Sequence, residues 1–242
     1  MNIVDEIRAY MAAPSPDEDG EDRGTRLLPP LSTDEIAAME RSFGCTFTPE
    51  VKALLAFCGG FEEGPMEIIE FKGELADDLL PALNGRFHCI APDGYGNVWF
   101  LWAPCVGERL GPVYYYQHEG PMLMFQCDGI EAFTSECLRF MRPPYDSLID
   151  DVHEFRLRNM GTFNDDLKTR DAMRDAKPDL ADFVAGFDED VSFYDFRGAK
   201  PGDGVDLANL DVVALHPDLP VLAVRKRKTL AGRIASLFGR GR

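Results

Sequence analysis

The sequence predicts an α+β fold: a single antiparallel meander sheet flanked by helices, followed by a C-terminal α/β elaboration and a basic amphipathic tail. Three observations predict it. Helix start and stop signals crowd residues 32–60. Short apolar runs separated by turn residues fill residues 87–125, at spacings that suit hairpins and not βαβ crossovers. A helical stripe of Ile130, Phe133, Cys137, Leu138 and Met141 then ends at Pro143-Pro144.

Taken in order, residues 2–12 predict a short helix, and the Pro/Gly-rich acidic stretch Pro14 to Gly24 predicts a solvated linker. Pro29-Pro30 forces an extended approach to Ser32-Thr33-Asp34-Glu35, which has capping-box spacing. Ile36, Met39 and Phe43 share one face of the helix that follows. Thr48-Pro49 opens a second helix through Val51, Leu54, Leu55 and Cys58, and Gly59-Gly60 ends it. Met66 to Phe71 reads as a strand and Glu74 to Leu83 as a short helix.

Phe87 to Ala91 and Asn97 to Trp102 read as a strand pair joined through Asp93-Gly94-Tyr95-Gly96-Asn97. Asp93, Gly94, Gly96 and Asn97 are structural turn residues that tolerate positive φ. Val113 to His118 and Met122 to Phe125 complete the meander. Residues 145–177 are charged and read as helical, Pro178 opens a short helix, and Val191–Phe196, Leu210–Leu215 and Val221–Val224 read as strands. The organisation is therefore an N-terminal helix and linker (1–26), a main domain (27–142), an extension or small second domain (143–224) and a tail (225–242).

Composition bounds the function. Hydrophobic residues make up 45% of 242, enough for a sizeable core. The formal net charge of −17 argues against a nucleic-acid partner, because phosphate affinity comes from Lys and Arg, and it suits a basic protein partner. The tail holds seven Lys/Arg in 18 residues and no acid, leaving 18 Lys/Arg against 42 Asp/Glu before it, a net −24. Leu230, Ile234, Leu237 and Phe238 give that tail an apolar stripe, a pattern compatible with membrane contact or with packing on the protein's own acidic surface. The first residues carry acids where a signal peptide has bases, and no apolar run approaches a membrane span. None of the six cysteines forms a C-x-x-C pair, so the expectation is a cytoplasmic protein with free thiols.

No residues stand out as catalytic, cofactor-binding or metal-binding. G-x-G-x-x-G, P-loop, G-x-S-x-G and H-E-x-x-H patterns are all missing from the sequence. The one arrangement that could support an enzyme is His88 and His118 on strands of one meander, with Glu119 beside them. Trp99, Trp102 and Tyr114 to Tyr116 alternate on adjacent strands, so half are expected in the core and half on a binding face. The partner-binding candidates are accordingly Glu62, Glu63, Asp77, Asp78, Tyr95, Trp102, Tyr115 and Glu119.

Five segments in this order carry a family resemblance. Leu28-Pro29-Pro30-Leu31-Ser32 through Met39-Glu40 resembles an opening helix with a characteristic Glu. Phe47-Thr48-Pro49-Glu50-Val51 through Leu55 is similar to the helix after it, with Cys58-Gly59-Gly60 where Asn-Gly-Gly is usual. Phe87 to Phe100, Gly111 to Glu119 and Ile130 to Thr134 resemble the family's strand pair, third strand and closing helix. Together they resemble the SUKH superfamily, which groups Smi- and Knr-type cell-wall regulators of fungi with many bacterial immunity proteins. The departures are Cys58 and the apolar Leu101-Trp102 where an acid often follows. The resemblance implies a non-enzymatic α+β binding domain without cofactor, and in bacteria a protein that neutralises a cognate toxin, often a nuclease. A regulatory scaffold or a peripheral membrane adaptor using the tail is the alternative.

Overall fold

The computed structural model describes residues 2–16, 19–21, 24–62, 68–75, 87–102, 109–152 and 164–227. The helical layer begins with α1 (Ile3–Ala12), capped by the Asn2 side chain, which accepts from the Asp5 N–H. Next comes α2 (Thr33–Phe43), whose Ser32 and Glu35 satisfy each other's backbone N–H groups in a complete capping box. Thr48 caps α3 (Pro49–Phe57), with Pro49 in its first turn. Glu40 is the residue that ties these two helices together. Its Oε1 accepts from the Phe47 N–H at 2.7 Å and pairs with Lys52 Nζ at 2.9 Å. The Lys52 hydrogen bond, then the Phe47 N–H, hold the Glu40 carboxyl below its usual pKa.

A small antiparallel sheet joins β1 (Arg26–Leu27), β2 (Gly60–Glu62) and β3 (Ile68–Glu70). Gly60, at φ 141°, is demanded by this sheet: a Cβ there would lie 1.8 Å from the Ile69 carbonyl oxygen. The central sheet is an ordered meander of β4 (Glu74–Leu75), β5 (Phe87–Pro92), β6 (Val98–Trp102), β7 (Val113–Gln117) and β8 (Met122–Cys127). Glu74 and Leu75 thus begin a strand, not the short helix the sequence suggested, because they pair with Cys89 and His88. Residues 76–83 of that expected helix lie outside the described residues.

The segment after α4 (Ile130–Phe140) is helical over residues 148–152, and its residues 153–163 lie outside the described residues. It supplies β9 (Lys168–Thr169), α5 (Arg170–Ala176), a 3-10 turn (Pro178–Leu180), α6 (Ala181–Ala185), β10 (Val191–Asp195), β11 (Gly204–Asp206), β12 (Leu210–Leu215) and β13 (Val221–Lys226). β11 pairs with β8 and becomes the sixth strand of the central sheet. The others form an antiparallel sheet in the order β12-β13-β10-β9.

Burial alternates along the central strands as the pleat requires. Trp99, Leu101, Val113, Tyr115, Met122 and Met124 point into a core shared with α1 to α4 and the small sheet. Val98, Phe100, Trp102, Tyr114, Tyr116, Leu123 and Phe125 point the other way. That second face is covered by Tyr194, Phe196, Leu210, Leu222 and Val224 of the C-terminal sheet region. Outside it, Val191, Phe193, Val221 and Ala223 pack with Met173, Leu180 and Val184 of the last helices. The layers therefore run helix, sheet, sheet, helix, with the meander buried on both faces. Two buried polar residues join the extension to the first core. Gln126 accepts from Trp99 Nε1 at 3.0 Å and donates to the Leu148 carbonyl at 2.8 Å, while Glu136 accepts from the Leu148 N–H at 2.9 Å.

Candidate functional site

The hairpin between β5 and β6 is a hydrogen-bonded device. Asp93 Oδ1 accepts from the backbone N–H of Tyr95 (2.8 Å) and of Asn97 (3.0 Å), and Asp93 Oδ2 accepts from the Asn97 amide. Asn97 is only 6% exposed. Its Oδ1 accepts from the His118 N–H at 3.0 Å and lies 3.2 Å from His118 Nδ1, which fastens this turn to the one after β7. Gly96, at φ 89°, carries no side chain because a Cβ would sit 2.8 Å from the His118 ring. The four turn residues thus hold backbone shape, and between them Tyr95 projects into solvent, 82% exposed.

The aromatic candidates separate into two groups. Tyr95 is presented. Trp102 and Tyr115 are 1% and 0% exposed, so the expectation that they form a binding face is corrected. Tyr115 faces the helical core beside Trp99, at 4.7 Å between ring centroids. Trp102 faces the C-terminal sheet beside Phe87 and Tyr114, at 4.7 and 5.2 Å. The cause is the second sheet, which occupies the face the sequence left open. Among the acids, Glu119 is exposed, and Glu62 is half-buried and paired with Arg26 at 3.0 Å across the β1–β2 ladder. Glu63, Asp77 and Asp78 lie outside the described residues.

His88 and His118 do not converge. His88 is buried and stacks on Phe43 at 4.1 Å. It stands opposite Leu101, which stands opposite Val113, five positions before His118. At about 3.3 Å per residue the two histidines are separated by on the order of 15 Å along the sheet. The His88/His118/Glu119 grouping is therefore not assembled, and among the described residues no group of three His, Cys, Asp or Glu could hold a metal ion.

Cys58, Cys127 and Cys137 are not disulfide-bonded, whereas Cys45 is, which corrects the expectation that every thiol is free. Burial pushes the Cys58 thiol up to about 11 and raises Cys127 and Cys137 further, so none is a ready nucleophile.

The basic run begins within a strand. Arg225 pairs with Asp188 (3.2 Å) and Asp190 (3.0 Å), and Arg227 with Asp211 (2.9 Å). The first bases of the expected tail thus serve β13 and its neighbours, and residues 228–242, with the apolar stripe, lie outside the described residues. Among the described residues no helix is long and apolar enough to cross a membrane. Two hollows remain. One, of about 200 Å³, is lined by Lys168, Lys177, Tyr194, Asp195 and Arg197 among others, and its charges are internally matched: Arg197 holds Asp195 in a two-pronged ion pair and also binds Asp179. The other is an apolar trough of about 470 Å³ between α1 and α3.

Among the described residues the hairpin offers a hydrogen-bonded tip with one projecting tyrosine, on a chain of net charge −17. No curated protein and no solved structure matches the chain. A family model does match, the SMI1 / KNR4 family (SUKH-1), over residues 30–136. The match takes in the capping box of α2, the Glu40 tie, Gly59-Gly60, the Asp93–Asn97 turn and most of α4, and it leaves out α1 and everything past α4. Residues 30–136 thus match the SMI1 / KNR4 family (SUKH-1), to which this part of the chain is similar.

Proposed function

We propose that the chain is a non-enzymatic protein-binding protein of the immunity type, which holds and neutralises a basic toxin domain in the cytoplasm. The observation that carries this reading is the SUKH-1 match on a body of net charge −17. An acidic surface steers association with a basic partner and competes for groups that would otherwise hold phosphate. Tyr95 is the aromatic anchor of the contact and Glu119, in the adjoining turn, one of its acids. A tyrosine held on a locked turn loses little conformational entropy when it is covered.

The test is co-expression with the toxin encoded beside this gene, followed by affinity purification. Survival of the host and a stoichiometric complex support the proposal. It fails if no protein partner co-purifies and no neighbouring toxin is neutralised.

A further inference from the structure

We propose that the hollow between β9, α5 and β10 binds a small zwitterion, an α-amino acid about the size of serine. The hollow lies past residue 136, outside the SUKH-1 match, and shares no residue with the Tyr95 turn. Its lining charges balance in number: Lys168, Lys177 and Arg197 stand against Asp166, Asp195 and Asp203. Contact does not pair them off. Arg197 is spent on Asp195 and Asp179, and Lys177 lies 3.7 Å from that same Asp195 carboxylate. Among the described residues, the Lys168 ammonium and the Asp166 carboxylate have no oppositely charged partner. Asp203 accepts from the Lys200 N–H with one oxygen, at 2.7 Å, and among the described residues its other oxygen is uncommitted.

The same wall carries an orphaned hydroxyl. Tyr194 is 6% exposed, and among the described residues its Oη has no hydrogen-bond partner. Burial pushes the Tyr194 phenol above its usual pKa, and Asp203 and then Asp166 add to the shift, so both carboxylates lie near it. Two carboxylates and a phenol oxygen offer an acceptor for each N–H of an ammonium. Lys168 and Lys177 are then the donors for a carboxylate. A ligand of one sign fits this wall badly, since an anion meets its aspartates and a cation meets its bases. A zwitterion meets each with its opposite. At roughly 30 Å³ per water-sized group, a volume of about 200 Å³ holds on the order of seven heavy atoms, the count in serine.

The probe is L-serine, titrated into the isotope-labelled full chain and followed through the amide NMR shifts of Lys168, Tyr194 and Asp203. Saturable shifts with a dissociation constant in the millimolar range or below are expected. Acetate and methylammonium, each carrying one of the two charges, should bind at least tenfold more weakly. L-serine itself should bind at least tenfold more weakly to the Lys168→Gln and Asp166→Asn variants, because each loses a charge-assisted hydrogen bond. Both side chains are exposed, so both variants keep the fold. No saturable shift with L-serine overturns the proposal. So does acetate or methylammonium binding within tenfold of L-serine, which marks a site for a single charge. Either variant binding L-serine within tenfold of the unaltered chain overturns it as well. Capture of a protein partner plays no part in the readout, so the amino-acid site and the immunity-type function fail separately.

Discussion

Replacing Tyr114 by Phe is expected to stabilise the protein, against the usual sign for removing a buried tyrosine hydroxyl. Tyr114 sits at the centre of the interface between the two sheets, fully buried, and among the described residues its Oη has no hydrogen-bond partner. A hydroxyl buried without a hydrogen bond carries a desolvation penalty of about 1–3 kcal/mol. The ring keeps its neighbours in the variant: Phe196 at 4.9 Å, Trp102 at 5.2 Å and Phe125 at 5.9 Å between centroids. The one-atom void left behind offsets part of the gain, so the net is about 1 kcal/mol. For a chain of this size that raises Tm by roughly 2–4 °C. Burial also pushes the Tyr114 pKa well above 10, with Asp195 adding to it. The folded state therefore favours the protonated phenol, and the unfolded chain gains by ionising once pH exceeds 10, so the variant's advantage should grow there. The assay is urea unfolding at neutral pH and at pH 10.5. A loss of 1 kcal/mol or more at neutral pH would refute the reasoning, because it would mean the hydroxyl is satisfied.

Trp102→Ala should cost about 3–5 kcal/mol and loosen the C-terminal sheet from the meander, read as a lower denaturation midpoint and faster exchange in β10 and β13. Asn97→Ala removes the acceptor for the His118 N–H and the donor to Asp93, at a cost of about 2–3 kcal/mol in chemical denaturation, and unchanged stability would show the link between the two turns to be dispensable. Tyr95→Ala should leave stability within about 0.5 kcal/mol while weakening capture of the partner by tenfold or more in calorimetry. The buried Cys58 thiol, raised from 9.0 to about 11, makes the folded state hold a proton the unfolded chain releases. Stability should then be level below pH 9 and fall between pH 9 and 11 by about 2–3 kcal/mol. Cys58→Ala should flatten that fall when midpoints are followed against pH.

Much of the fold was legible because it is coded locally. Ser32 with Glu35, Thr48 with Pro49, and Asp93 through Asn97 each specify their own backbone within five residues, and each stands where the spacing placed it. The acidic charge and the order of the five family segments were equally plain. Misreadings came where a partner distant in sequence decides. Glu74–Leu75 is a strand only because β5 lies beside it, and Gly204–Asp206 is one only because β8 has a free edge. One local signal was passed over. Val98-Trp99-Phe100-Leu101-Trp102 and Met122-Leu123-Met124-Phe125 are continuous apolar runs, whereas a sheet with one wet face alternates. Those runs announce that both faces are covered.

The sequence by itself determined the class of the fold, the ends of its helices, its central hairpin and its charge, because caps, turns and periodicity act over a few residues. Only the tertiary structure decided what the meander does with its second face. There the C-terminal strands, some 90 residues away in the chain, bury Trp102 and Tyr114, while Tyr95 stays exposed. The physical reason is that two-sided burial is a property of what packs on a strand, and that contact is made by residues no local pattern can join.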